Sequence, residues 1–108
     1  MDGNELVFLA AEEEQIATTA QIIWDDNDNS NGLRPSQVIC TLSNGETFTL
    51  SNSNNWTTTV YRPKYVNGQG VLYQWSISSV LGYTTTSITD NNVTTFTNTY
   101  RTQPPAPE

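Results

Sequence analysis

The chain has 108 residues, with 4 Lys+Arg against 11 Asp+Glu and a net charge of −7 at pH 7. That length holds one domain around one core, and the acidic balance repels phosphate backbones and anionic lipid, which argues against nucleic acid and membrane surfaces as partners. Charged residues make up 14%, and Thr, Ser and Asn are plentiful, a composition suited to strands and turns rather than helices.

Residues 1–17 differ in character from the rest of the chain. Leu6-Val7-Phe8-Leu9-Ala10-Ala11 comes after acidic rather than basic residues and is too short for a signal-peptide core or a membrane span. An export signal, if the parent protein has one, is expected outside this chain. Ala10–Gln15 has helix-forming composition but is too short to hold a helix unaided. The segment reads as a linker or lead-in, and Glu12-Glu13-Glu14 as a solvated turn.

From Thr18 onward, strand signals recur between turn clusters. Thr18–Trp24 puts Ala20, Ile22 and Trp24 on one face and stops in Asp25-Asp26-Asn27-Asp28-Asn29-Ser30-Asn31-Gly32-Leu33-Arg34-Pro35. Asn and Asp side chains bond neighbouring backbone amides, so this is a loop joining two strands. Gln37–Ser43 is the next strand, ending at the tight-turn signal Asn44-Gly45. Then come Glu46–Leu50 and a strand from Asn54 or Asn55 to Tyr61, with Trp56, Thr58 and Val60 to one side. Arg62-Pro63 interrupts the pattern, and Asn67-Gly68-Gln69-Gly70 turns the chain. Val71–Ser78 alternates most regularly, with Val71, Tyr73, Trp75 and Ile77 on one face. Gly82 marks another turn, and Thr84–Thr89 and Val93–Tyr100 are joined at Asp90-Asn91-Asn92. The tail 102–108 is too proline-rich to pair and reads as an extended linker. About seven short strands predict an all-β fold, a single antiparallel β-sandwich over residues 18–101.

The turns also carry a specific wording. Trp24–Pro35, Ser43–Trp56, Arg62–Tyr65, Tyr73, Gly82-Tyr83 and Phe96–Tyr100 occur in an order that resembles the collagen-adhesin B-type (Cna B-type) domain of Gram-positive surface proteins. The resemblance covers roughly residues 18–101. It implies a prealbumin-like, Ig-like Greek-key sandwich in a secreted, cell-wall-attached protein. There it would serve as a monomeric stalk module beside neighbouring domains that bind a host matrix protein or glycan.

Many domains of that family form an internal isopeptide bond between a lysine on the first strand and an asparagine on the last, with a buried acid as proton shuttle. An apolar core keeps such a lysine neutral and nucleophilic and such an acid protonated. The resemblance puts the lysine position at Ile22, the acid position at Ile77 and the asparagine at Asn98. Asn98 alone matches. The expectation is a domain without the bond, in which the two isoleucines make a dry core, since apolar residues of similar volume often replace a buried pair at no cost. Asn98 then needs other partners, with Ser76 or a backbone group the candidates by spacing.

Other sites weigh less. Cys40 is the only cysteine, so no internal disulfide forms; between Val38 and Leu42 it reads as a small buried hydrophobe. No histidine is present, so the usual catalytic triads and dyads lack members and an enzyme is not expected. Asp25, Asp26 and Asp28 with their Asn neighbours suggest calcium, but Gly32 sits one place late for a loop begun at Asp26 and no Glu closes it. Metal and cofactors are therefore expected to be none. Lys64 has a faint likeness to a lysine that a sortase joins in pilus backbones, and a loop role is the simpler reading. Trp56, Trp75, Tyr61, Tyr73 and Tyr83 would make a glycan platform only if several were exposed together. The acceptor-like triplets Asn55-Trp56-Thr57 and Asn92-Val93-Thr94 carry little weight in a bacterial protein. The alternative to a stalk is a ligand-binding sandwich that recognises a host glycan or matrix protein, and binding by the isolated domain separates the two.

Overall fold

The structure, a computed structural model, describes residues 14–101. Nine strands succeed one another: β1 (Gln15–Asp25), β2 (Gln37–Leu42), β3 (Thr47–Ser51), β4 (Thr57–Pro63), β5 (Tyr65–Val66), β6 (Gln69–Gly70), β7 (Trp75–Ile77), β8 (Tyr83–Asp90) and β9 (Val93–Tyr100), with a 3-10 turn at Asn52–Asn54. They form a four-stranded sheet ordered β4-β1-β9-β8, a three-stranded sheet ordered β3-β2-β7, and a two-stranded ribbon of β5 and β6. The two larger sheets hold seven strands and stack as a prealbumin-like β-sandwich, so the number expected from the turn spacing describes the sandwich, and the ribbon is additional.

Alternation builds the core. Thr18, Ala20 and Ile22 of β1 point inward and are buried, while Ile23 faces out and is half exposed. Val38, Cys40 and Leu42 of β2 and Phe96 of β9 meet them, with Leu50, Trp56 and Trp75 completing the cluster. Each buried Val, Leu, Ile or Phe among them contributes about 1.5–3 kcal/mol. β8 is buried at Tyr83 and exposed from Thr84 to Asp90, because the narrower three-stranded sheet leaves this edge uncovered.

The pairing is antiparallel throughout the sandwich except between β1 and β9, which run parallel from Thr19↔Val93 to Asp25↔Thr99. The first and last strands are thus neighbours in the middle of one sheet.

Four expectations need correcting. β1 begins at Gln15 rather than Thr18, because Gln15–Ala17 pair with Tyr61–Pro63 of β4. Arg62-Pro63 continues β4 instead of interrupting it; β4 is an edge strand, where a proline's missing donor is tolerated. The strand beginning at Asn54 or Asn55 starts instead at Thr57, since Asn55 and Trp56 both have positive φ and turn the chain from one sheet to the other. The regular alternation over Val71–Ser78 yields only the short strand β7. Its partner β2 spans just Gln37–Leu42, Val71 N–H bonds back to the Lys64 carbonyl, and Leu72 is exposed.

Candidate functional site

The loop after β1 is held by one carboxylate. Asn27, Asp28 and Asn29 all adopt left-handed conformations (φ 54, 57 and 61°), which short Asx side chains accept at low cost. This coil points backbone and side-chain donors at Asp26. The Asn29 amide donates to Asp26 Oδ1 (3.0 Å), Arg34 Nε to Oδ2 (3.0 Å), Arg34 Nη2 to Oδ1 (2.5 Å) and the Tyr83 hydroxyl to Oδ2 (2.8 Å). The Arg34 hydrogen bonds, helped by those from Tyr83 and Asn29, outweigh burial and lower the Asp26 pKa to about 2. Burial and the anionic neighbour together push the Tyr83 hydroxyl up to about 12. The Arg34 guanidinium also lies 5.4 Å from the Trp24 ring centroid, and Trp24 packs edge-on against Trp56 and Tyr83. The loop is thereby joined to the start of β8. Pairing of Arg34 with a nearby Asp is legible in the sequence; the Tyr83 contribution is not, because 57 residues separate it from Asp26.

The three positions implied by the resemblance converge on the interior. Ile22 is paired with Phe96, and Asn98 lies one inward-facing position further along β9, opposite Trp24. Ile77 enters from the facing sheet, paired with Cys40 and packed against the core cluster. Asn98 is fully buried. Its Oδ1 accepts from the Thr85 hydroxyl of β8 (2.5 Å). Ser76, the candidate partner by spacing, is exposed on the opposite sheet. Asn98 Nδ2 and Trp24 Nε1, on partnered residues, have no hydrogen-bond acceptor among the described residues.

Cys40 is fully buried, and desolvation raises its thiol to about 11, which leaves it protonated and unreactive at neutral pH. Among the described residues, no group of three His, Cys, Asp or Glu side chains gathers as a metal site. Trp56, Trp75 and Tyr83 are buried, Tyr73 is half-buried with its hydroxyl on the Pro63 carbonyl, and Tyr61 stands exposed on the outer face of β4. These five aromatic residues do not gather on one exposed face. Lys64 is exposed and pairs with Glu14 at 3.4 Å.

This arrangement defines a class: a small all-β sandwich domain, with its first and last described strands side by side. The model of the Cna protein B-type domain matches residues 18–99, and the chain belongs to that family. It is 35% identical over 103 residues to the collagen adhesin of Staphylococcus aureus, a match covering 91% of this chain and 8% of that protein. The chain therefore spans a small fraction of the length of that relative. The crystal structure of two B repeat units of the S. aureus collagen-binding protein is 34% identical, with a TM-score of 0.73 over 81% of this chain and 26% of the other. The pilus adhesin SpaC of Lactobacillus rhamnosus GG shares the fold, with a TM-score of 0.62 at 21% identity over 81% of this chain and 12% of SpaC.

Proposed function

We propose that this domain is a spacer module of a larger extracellular, cell-wall-attached adhesin, held together by packing and hydrogen bonds with no isopeptide bond between its first and last strands. The observation that carries the reading is the parallel pairing of β1 with β9. The chain enters at one end of this pair and leaves at the other, so successive domains can join end to end. Load between neighbours then falls on the hydrogen bonds of the pair in shear.

Ile22 and Ile77 support the absence of the bond. Neither side chain has a nucleophile or a proton to move, and both sit in or against an apolar cluster. Lys64, the only lysine in the chain, lies in the loop after β4, where Glu14 pairs with it. Binding to a host matrix protein or glycan is assigned to other domains of the parent protein. No catalytic role is assigned, since histidine is absent and the single thiol is buried and protonated.

Intact-mass measurement tests the reading. The expected mass is that of the unmodified chain; a species lighter by one ammonia refutes the isopeptide-free domain. The complementary variant Ile22→Lys with Ile77→Glu supplies both missing groups at the assigned positions. It is expected to lose one ammonia, and a natively folded variant that never does so contradicts the assigned positions. Collagen or glycan binding by the isolated domain would replace the spacer reading with a ligand-binding one.

A further inference from the structure

Three Asn-Gly pairs lie in turns: Asn31-Gly32, Asn44-Gly45 and Asn67-Gly68. In such a pair the glycine amide nitrogen, unhindered by a side chain, can attack the asparagine carboxamide. The amide loses its proton to a solvent base, a bond forms from the glycine nitrogen to asparagine Cγ, and the Cγ–Nδ2 bond breaks. Nδ2 takes up a proton and departs as ammonia, leaving a five-membered succinimide. Water then adds to either ring carbonyl and opens the ring to aspartate or isoaspartate. Two conditions govern the rate: the glycine nitrogen must be free, and the turn must be able to rearrange.

The structure separates the three pairs on both counts. The Gly32 amide donates to the Asn29 carbonyl at 2.9 Å, and the Gly45 amide to the Leu42 carbonyl at 2.8 Å. Asn44 is restrained further, since its Oδ1 accepts from the Glu46 amide and its Nδ2 donates to Glu46 Oε1. Glu46 is in turn clasped by Arg62 from β4. Of the three glycine amides, that of Gly68 alone has no acceptor among the described residues, and the Asn67 side chain, like that of Asn31, has no hydrogen-bond partner there.

The supporting elements differ as well. Asn44-Gly45 closes the hairpin of β2 and β3 within the three-stranded sheet, and Asn31-Gly32 sits in the loop braced by Asp26. Asn67-Gly68 closes the ribbon of β5 and β6, two residues a side and paired with neither sheet. Both turn residues have positive φ (53 and 78°), the conformation of a two-residue hairpin turn, and residues 66–70 are all exposed. An isolated two-stranded ribbon is marginal in water, so opening it requires little local unfolding.

We infer that Asn67 is the site at which this domain ages chemically, by succinimide formation with Gly68 and conversion to aspartate and isoaspartate, while the folded structure protects Asn31 and Asn44. The isoaspartate product lengthens the backbone by one methylene within a two-residue turn. The change also puts a new negative charge three residues from Lys64.

The test is to hold the full chain at mildly alkaline pH and monitor the three sites by peptide mapping with a fragmentation method that distinguishes isoaspartate. Conversion at Asn67 is expected about tenfold faster than at Asn31 or Asn44, equivalent to about 1.4 kcal/mol of barrier. The same incubation in denaturant is expected to bring the three rates together. Asn31 or Asn44 converting as fast as Asn67 in the folded chain overturns the inference. So does a ranking that persists unchanged in denaturant, because the fold would then not be its cause.

Discussion

Asp26 accepts hydrogen bonds from Arg34, Tyr83 and the Asn29 amide while its side chain is almost fully buried. Breaking a buried pair by removing one partner costs about 3–5 kcal/mol, and Arg34 keeps some contact with solvent. Asp26→Ala is therefore expected to lose about 2–3 kcal/mol at neutral pH in chemical denaturation. The pH dependence has a definite sign. The Asp26 pKa is lowered from 3.8 to about 2, so its contribution is complete above pH 4 and is lost as the pH falls from 3.8 through 2. Comparing Asp26→Asn with the parent checks this: the gap between their melting temperatures should close over that interval and stay open above it. Asn98 presents the reverse situation. Its buried Nδ2 has no acceptor among the described residues, and leaving such a group unpaired costs about 1–3 kcal/mol, whereas Thr85 is exposed and can turn its hydroxyl to water. Asn98→Leu should consequently be neutral or stabilising by about 1 kcal/mol in urea unfolding. A loss of stability would assign Asn98 a role that its hydrogen bonds do not reveal.

The strands meet across the sandwich through one buried polar contact as well as apolar packing. The Trp75 indole Nε1 in β7 donates to the Thr18 hydroxyl in β1 at 2.9 Å, linking the shortest strand of one sheet to the longest of the other. Thr18→Val preserves shape while removing the acceptor, and the indole N–H is left buried and unpaired. The expected cost is about 1–3 kcal/mol, read as a lower urea midpoint with an unchanged m-value. Thr18→Ser keeps the acceptor and should lose less. β7 itself shows how an element can be shorter than its pattern. Val71, Tyr73, Trp75 and Ile77 alternate as a strand requires, yet a strand exists only where a partner supplies hydrogen bonds, and β2 ends at Leu42.

For the whole molecule the decisive feature is that the two chain ends leave opposite ends of the β1–β9 pair. Pulling on them loads seven registered residue pairs together in shear. A covalent link between positions 22 and 98 would keep the intervening segment out of the load path. Without one, the domain should unfold completely under force, each released residue adding about 3.3–3.6 Å of contour. Single-molecule extension measures this directly, and a domain that stays inextensible between residues 22 and 98 contradicts the proposed isopeptide-free architecture. Forced unfolding depends on the unfolding rate, so variants that weaken β1–β9 pairing should lower the rupture force more than their equilibrium stability suggests.

Local chemistry determined the all-β character, the burial of Cys40 and Trp75, the turns at Asn44-Gly45 and Asn67-Gly68, and the Asx-rich loop that Arg34 closes. Each arises from side-chain alternation or from residues that bond their own backbone, and such rules act over a few positions. The parallel register of β1 on β9, the contact of Tyr83 with Asp26, the choice of Thr85 rather than Ser76 for Asn98, and the truncation of β7 were settled by the tertiary structure. These join residues far apart in the chain. Which distant strands become neighbours depends on how two sheets jointly bury their faces, a property no single segment contains.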